Sequence, residues 1–532
     1  MEQVLYFGGP ILTMEEPLCA QALLTEGGTI RAVGSLTQVR AEASAGAKEV
    51  DLKGNALLPA FLDAHSHFSA CANALLQLSV GEARSFRQIQ EALRRYIAQR
   101  KPAPGEWVSV RDYDHNQLEE KRHIPRRLLD EAAPHNPVVV QHKSGHLGVF
   151  NTMALSLLGV TAGTPCPEGG FLEIEDGQPT GYMEENAFLE FLQKVPMPTM
   201  EDLLAAFARA QDQYASYGIT AVQEGMMTSQ MAELYQHLIQ NRLLKLDVTG
   251  YADARDPEHV WDVLGRYAGE EEGPFRLGGY KIFLDGSPQG RTAWLKEPYE
   301  NAPDGYRGYP ALQESQVLDF VRRAAREGRQ ILAHCNGDAA CRQFIDACLA
   351  VKREFPRLPE LRPVMIHAQL LCPEDMEDMK ACGILPSFFV AHVYHWGDTH
   401  IENLGPVRAS RISPAGTALR RGVRFTFHQD SPVIAPDMLE TVWCAVNRRT
   451  RDGILLGEQE RIAPLEALKA VTIHAAWQYF REESLGSLAP GKRADLVFLG
   501  GNPLDCPPER IREIPVLATV KNGRLLYRKG GV

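Results

Sequence analysis

The stretch LLPAFLDAHSHF, residues 57–68, is an apolar run that ends in a His-Ser-His triplet. An extended strand sends residues two apart to the same side, so His65 and His67 can aim at one point in space. Imidazole nitrogens suit zinc, iron or nickel, and a carboxylate arriving from another strand can complete such a set. A matching stretch lies far along the chain: GVRFTFHQDSP, residues 422–432, is a second apolar run leading into Asp430. Taken alone, the triplet is equally well read as a histidine-bearing strand end with no metal. The rest of the chain decides between the two readings.

Short apolar runs alternate with helical stretches across the middle of the chain. Strands are expected at 57–63, 219–224, 244–250, 277–284, 330–334, 363–367, 384–389 and 423–428, with helices at 85–100, 200–217, 313–327 and 339–355. Eight parallel strands with intervening helices are the pattern of an α/β (β/α)8 TIM barrel. The first gap is too long for one crossover, so residues 70–205 are expected to form a subdomain inserted after strand 1. Both chain ends read instead as alternating strands with Gly-Gly turns, and Asn522-Gly523 in VKNGRLL is a type I′ hairpin signal. These segments predict a small composite β-sandwich domain from residues 1–56 and 484–532, flanking a barrel at 57–483.

At 532 residues, 44% hydrophobic and 23% charged, the composition is that of an ordinary globular protein. A net charge of −11 without any Lys/Arg-rich run argues against nucleic acid or an anionic membrane as the main partner. The N-terminal segment lacks a basic region followed by a long apolar one, and no stretch approaches ~18 consecutive apolar residues, so neither secretion nor a membrane span is expected. The ten cysteines include no CxxC pair and read as reduced thiols in a cytoplasmic protein. Cys335 adjoins His334, but strand alternation turns it to the other face, which makes it structural.

Barrel enzymes carry their sites at the C-terminal ends of the strands. The predicted strand ends hold His65 and His67 (strand 1), Lys281 (strand 4), His334 (strand 5), His367 (strand 6) and Asp430 (strand 8). Six metal-competent residues at one end favour a metal site over six separately packed side chains.

Over almost its whole length the chain resembles the amidohydrolase superfamily, in the branch called amidohydrolase family 3, with YtcJ-like proteins and N-substituted formamide deformylases. The resemblance rests on PAFLDAHSHF, KIFLDGSPQGRTAWL, AHCNGDAA, IHAQ, HQDSPV and SLGSLAPGKRADLVFLGGNP, with ITAVQEG and SGHLGVFNTMAL as further landmarks. It implies that His65, His67, His334 and His367 are metal ligands, that Asp430 is both ligand and general acid/base, and that Lys281 is carboxylated and bridges two metals. Without carboxylation, Lys281 would be a cation paired with Asp285 and the site mononuclear. One or two divalent ions are expected, zinc first, with iron, manganese and nickel as alternatives. Two positions depart from the family pattern: Ala60 replaces a glycine, and His428-Gln429 replaces a Gly-Ser pair.

The chemistry implied is attack by metal-bound hydroxide on a non-peptide C–N bond of a small molecule, an amide, formamide or N-acyl group, with Asp430 moving the proton. A deaminase or a lactone or cyclic-amide hydrolase would use the same residues, and a non-catalytic regulatory protein on this fold is the third reading. Asp285, Arg291, Glu224, His146, His395 and Trp396 are candidate substrate-binding residues, and a homodimer is the assembly common among similar proteins.

Overall fold

The first expected strand is divided between two sheets. In the computed structural model, which describes residues 2–143, 147–167, 170–196, 198–269 and 273–530, Ala56–Pro59 pairs antiparallel with Leu496–Leu499, whereas Phe61–Leu62 pairs parallel with Ile219–Met227. The change of partner falls where Pro59 offers no N–H to continue a ladder. The Ala60 amide turns to the Asp495 carbonyl and the Phe61 amide to that of Gly218, both at 2.9 Å.

Phe61–Leu62 (β1) opens an eight-stranded sheet whose later members are Ile219–Met227 (β2), Asp247–Asp253 (β3), Phe275–Phe283 (β4), Gln330–Cys335 (β5), Val364–His367 (β6), Leu385–Phe388 (β7) and Thr426–Phe427 (β8). Every neighbouring pair is parallel, and the spatial order is the chain order. Each of the eight expected segments contributes one strand. Beyond the ends of β1 and β8, the His67 amide bonds the Ser431 carbonyl at 2.9 Å. β6 and β7 are buried at every position, the unbroken apolar pattern of parallel strands covered on both faces.

The helices match their periodicity closely. Phe86–Arg100 is capped by the Ser85 hydroxyl, and Glu314–Glu327 buries Val317, Val321 and Ala324 from a Gln313/Gln316 capping box to the left-handed Gly328. Both chain ends enter one continuous sheet, in which Leu57 of the N-terminal part faces Phe498 of the C-terminal part. Leu23, Leu57, Leu496 and Val520 share its buried core. Asn522 and Gly523 both have positive φ, 51° and 73°, as a type I′ turn between Val516–Lys521 and Arg524–Arg528 requires.

The chain divides into two compact units, residues 1–70 with 210–532, and residues 71–209. The second holds a six-stranded sheet. In it Leu78–Ser79, Val108–Tyr113 and Val138–His142 run parallel, and Leu147–Phe150, Gln178–Glu184 and Gly170–Glu175 continue antiparallel. Among the described residues, no helix is long and apolar enough to cross a membrane.

Candidate metal centre

The carboxyl ends of β1, β4, β5, β6 and β8 bring His65, His67, Lys281, His334, His367 and Asp430 together. Asp430 is the hub: its Oδ1 lies 3.4 Å from His65 Nε2 and 3.5 Å from His67 Nε2, and its Oδ2 lies 3.8 Å from His367 Nε2. Lys281 Nζ is 3.3 Å from His65 Nε2, and His367 Nε2 is 3.1 Å from His334 Nδ1. Lys281 faces His65 and Asp430, and among the described residues no ion pair joins it to Asp285. The carboxylate of Asp285 accepts from the backbone amides of Trp294, Asn336 and Gly337 instead, so it shapes the loop after β5.

A hydrogen bond on the far side of the His65 ring decides which of its nitrogens keeps a lone pair. Gln223 Nε2 donates to the Ala64 carbonyl at 2.9 Å, which turns Gln223 Oε1 toward His65 Nδ1 at 2.5 Å. An amide oxygen only accepts, so Nδ1 carries the proton and Nε2 is left facing Asp430. His334 Nε2 lies 3.2 Å from the Gly286 carbonyl and 3.0 Å from Asn336 Nδ2, and its Nδ1 faces His367. His334 Nδ1 and His367 Nε2 face each other at 3.1 Å, a separation that one N–H···N hydrogen bond spans. Close approach also restricts the backbone: a Cβ on Gly225 would sit 2.5 Å from His65 Cε1. His367 and Asp430 themselves hold positive φ, 70° and 51°, a strained conformation of the kind concentrated at functional sites.

Burial suits the same chemistry. It holds the His65 and His367 imidazoles well below their ordinary range and lowers His67 to about 4 and His334 to about 3, so all four are neutral ligands near pH 7. It also lowers the Lys281 ammonium and raises the Asp430 carboxyl, the latter against the pull of Lys281. The decisive observation is Asp430 Oδ1, buried among ring nitrogens with no hydrogen-bond partner. An orphaned anionic oxygen amid neutral nitrogen donors is a donor set that fits a divalent cation.

One participant was not among the expected ligands. His428 is fully buried, with Nε2 3.3 Å from His367 Nδ1 and Nδ1 2.8 Å from Ser387 Oγ. It therefore orients a ring at the site. Its place two residues before Asp430 was the available signal, the same alternation that pairs His65 with His67.

The expected substrate-binding residues divide. Glu224 is buried and accepts from the Ser69 amide and the Tyr235 hydroxyl, both at 2.7 Å, and burial raises its carboxyl. Arg291 is tied to Asn403 Oδ1 at 2.8 Å. His395 lies between Glu440 Oε1 at 2.9 Å and Arg451 at 3.1 Å, and Trp396 packs on His392 with ring centres 4.8 Å apart. His146 lies outside the described residues.

A profile of the amidohydrolase family matches residues 48–527. The chain belongs to this family. It is 30% identical to the N-substituted formamide deformylase of Arthrobacter pascens over 533 residues, 96% of either chain. It is 27% identical to the putative amidohydrolase YtcJ of Bacillus subtilis (strain 168), covering 99% of this chain and 100% of that one. An uncharacterized metal-dependent hydrolase from Pyrococcus furiosus has the same fold, with a TM-score of 0.75 at 24% identity over 94% of this chain and 100% of that one. Family membership makes this amidohydrolase a hydrolase.

Proposed function

We propose that this amidohydrolase cleaves the C–N bond of a small N-acylated or N-formylated molecule, with His65, His67, Lys281, His334, His367 and Asp430 holding its metal. The observation that carries the reading is the unpartnered Asp430 Oδ1 at the meeting point of the histidine nitrogens. A divalent ion held there supplies Lewis acidity toward a substrate carbonyl and makes water acidic enough to react near neutral pH. Asp430 takes a proton from water at its carboxylate and returns it to the departing nitrogen, for which burial prepares it by raising its affinity for that proton. Lys281, fully buried with its ammonium destabilised, is disposed to lose its proton, the condition for carboxylation by carbon dioxide into a bridging anion. We further infer that the parallel strands form a (β/α)8 barrel and that the terminal sheet curls into a composite β-sandwich at 1–56 and 484–532, in a cytoplasmic protein.

The deformylase relative supports the choice of substrate class. The test is a screen of zinc-, iron-, manganese- and nickel-loaded protein against N-substituted formamides, N-acyl amines, hydantoins and lactones, with formate, amine and acid release as readouts. Turnover of formamides or N-acyl amines is expected. Hydrolysis of lactones alone, or a purified protein that binds no metal, would overturn the proposal.

A further inference from the structure

The unit at 71–209 contains a second convergence of ligand-type side chains, none of them among the six above. It follows from register. Val108–Tyr113 and Val138–His142 are adjacent parallel strands, and Tyr113 lies opposite His142. Asp114 and His115 come directly after Tyr113, where a short 3-10 turn, His115–Gln117, stops the chain from leaving the strand end. His142 closes its own strand at the same level. Three polar side chains thus share the carboxyl edge of a parallel pair, the edge at which α/β sheets bind ligands.

His142 Nε2 is 3.3 Å from His115 Nδ1 and 3.6 Å from Asp114 Oδ1, and all three donor atoms lie within 4.8 Å of one another. Ligand atoms at ~2.1 Å from a common ion are separated by about 3.0 Å at a right angle and about 3.4 Å at the tetrahedral angle. The 3.3 Å separation is of that size and the 3.6 Å one slightly longer. Without a metal one N–H···N hydrogen bond joins the two rings, whereas a single cation would take both ring lone pairs and the carboxylate at once. The side chains of His142 and Asp114 are 11% and 21% exposed, enclosed yet within reach of solvent.

Neighbouring rings hold the arrangement. His123 packs on His115 with centroids 4.2 Å apart, and its Nδ1 is 2.8 Å from the hydroxyl of buried Tyr113. On its other side His123 stacks on Tyr182, whose hydroxyl donates to Glu184 at 2.6 Å. Such outer contacts fix ring orientation at metal sites.

We propose that Asp114, His115 and His142 bind a divalent transition metal in a two-histidine, one-carboxylate set with open positions for water or a further ligand. It rests on residues of one unit only and stands whether or not the strand-end site acts as proposed.

The experiment is zinc titration of the metal-stripped full chain against a chromophoric chelator, with crystals of the loaded protein measured at the zinc edge. His65→Ala/His67→Ala should remove ions from the strand ends and leave one equivalent bound. Adding His115→Ala/His142→Ala should remove that equivalent, and Asp114→Asn alone should weaken it at least tenfold, with circular dichroism unchanged. If the quadruple variant fails to fold, the anomalous map of the otherwise native protein still decides: a peak among the three side chains supports the site. Its absence from crystals with zinc at the strand ends overturns it, as does a His115→Ala/His142→Ala chain that binds as many ions as the native one.

Discussion

Asp430→Asn separates catalysis from folding. The side chain keeps its shape and loses its charge, at a point 3.4 Å from His65, 3.5 Å from His67 and 3.8 Å from His367. A positioned acid/base contributes about 10²–10⁴ in rate, which at 1.36 kcal/mol per tenfold corresponds to about 3–5 kcal/mol of barrier. Stability should move the other way. Burial raises the folded-state affinity of Asp430 for its proton, so above the carboxyl's unfolded-state range its ionisation counts against the fold. An amide removes that penalty, and the metal-free variant should melt no lower than the native chain at pH 7. The assays are kcat/KM on a formamide substrate with metal content measured in parallel, and thermal unfolding of the metal-free protein. Turnover within a few-fold of native, with metal still bound, would refute the proton-transfer role. A large drop in melting temperature would refute the argument that burial of this carboxylate is a cost.

Lys281→Ala should remove one equivalent of bound metal; unchanged content by elemental analysis would leave the lysine without a bridging role. His428→Ala removes the partner of His367 Nδ1, and metal affinity by chelator competition should fall about 10–100-fold, as it does when an outer-shell partner is lost; native affinity would show that His428 only fills space. Asp247 carries Lys521 at 2.7 Å and Arg493 at 2.8 Å, joining β3 to the C-terminal segment, and Asp247→Asn should cost about 3–5 kcal/mol by urea unfolding at pH 7. Burial opposes ionisation of Asp247, but Lys521 and Arg493 outweigh it and hold the carboxyl below its ordinary value. Its contribution is therefore present above the unfolded-state range and is lost as pH falls through the folded value. The gap between native and variant should narrow as pH falls below the unfolded-state range, and a gap that does not change as the pH is lowered would refute the ion-pair account.

The triplet after β1 and the carboxylate after β8 were legible because strand alternation is local, and an apolar run ending in polar residues marks a buried strand emerging at a sheet edge. Helix positions were legible from periodicity, as Phe86–Arg100 and Glu314–Glu327 show. The split of the first strand at Pro59 and Ala60 was not, because the choice of partner depends on two backbones remote in sequence, around Asp495 and Gly218. The same holds for Lys281, whose local sequence offers Asp285 four residues on, whereas the sheet order brings it to His65 and Asp430. Sequence alone determined the eight parallel strands, the ligand types and the family resemblance, since all three are written in patterns a few residues long. Tertiary structure decided which nitrogen of His65 is left bare, that His428 orients His367, and that Asp114 and His115 meet His142. Those outcomes depend on partners far apart in the chain, and only packing brings such partners within hydrogen-bond reach.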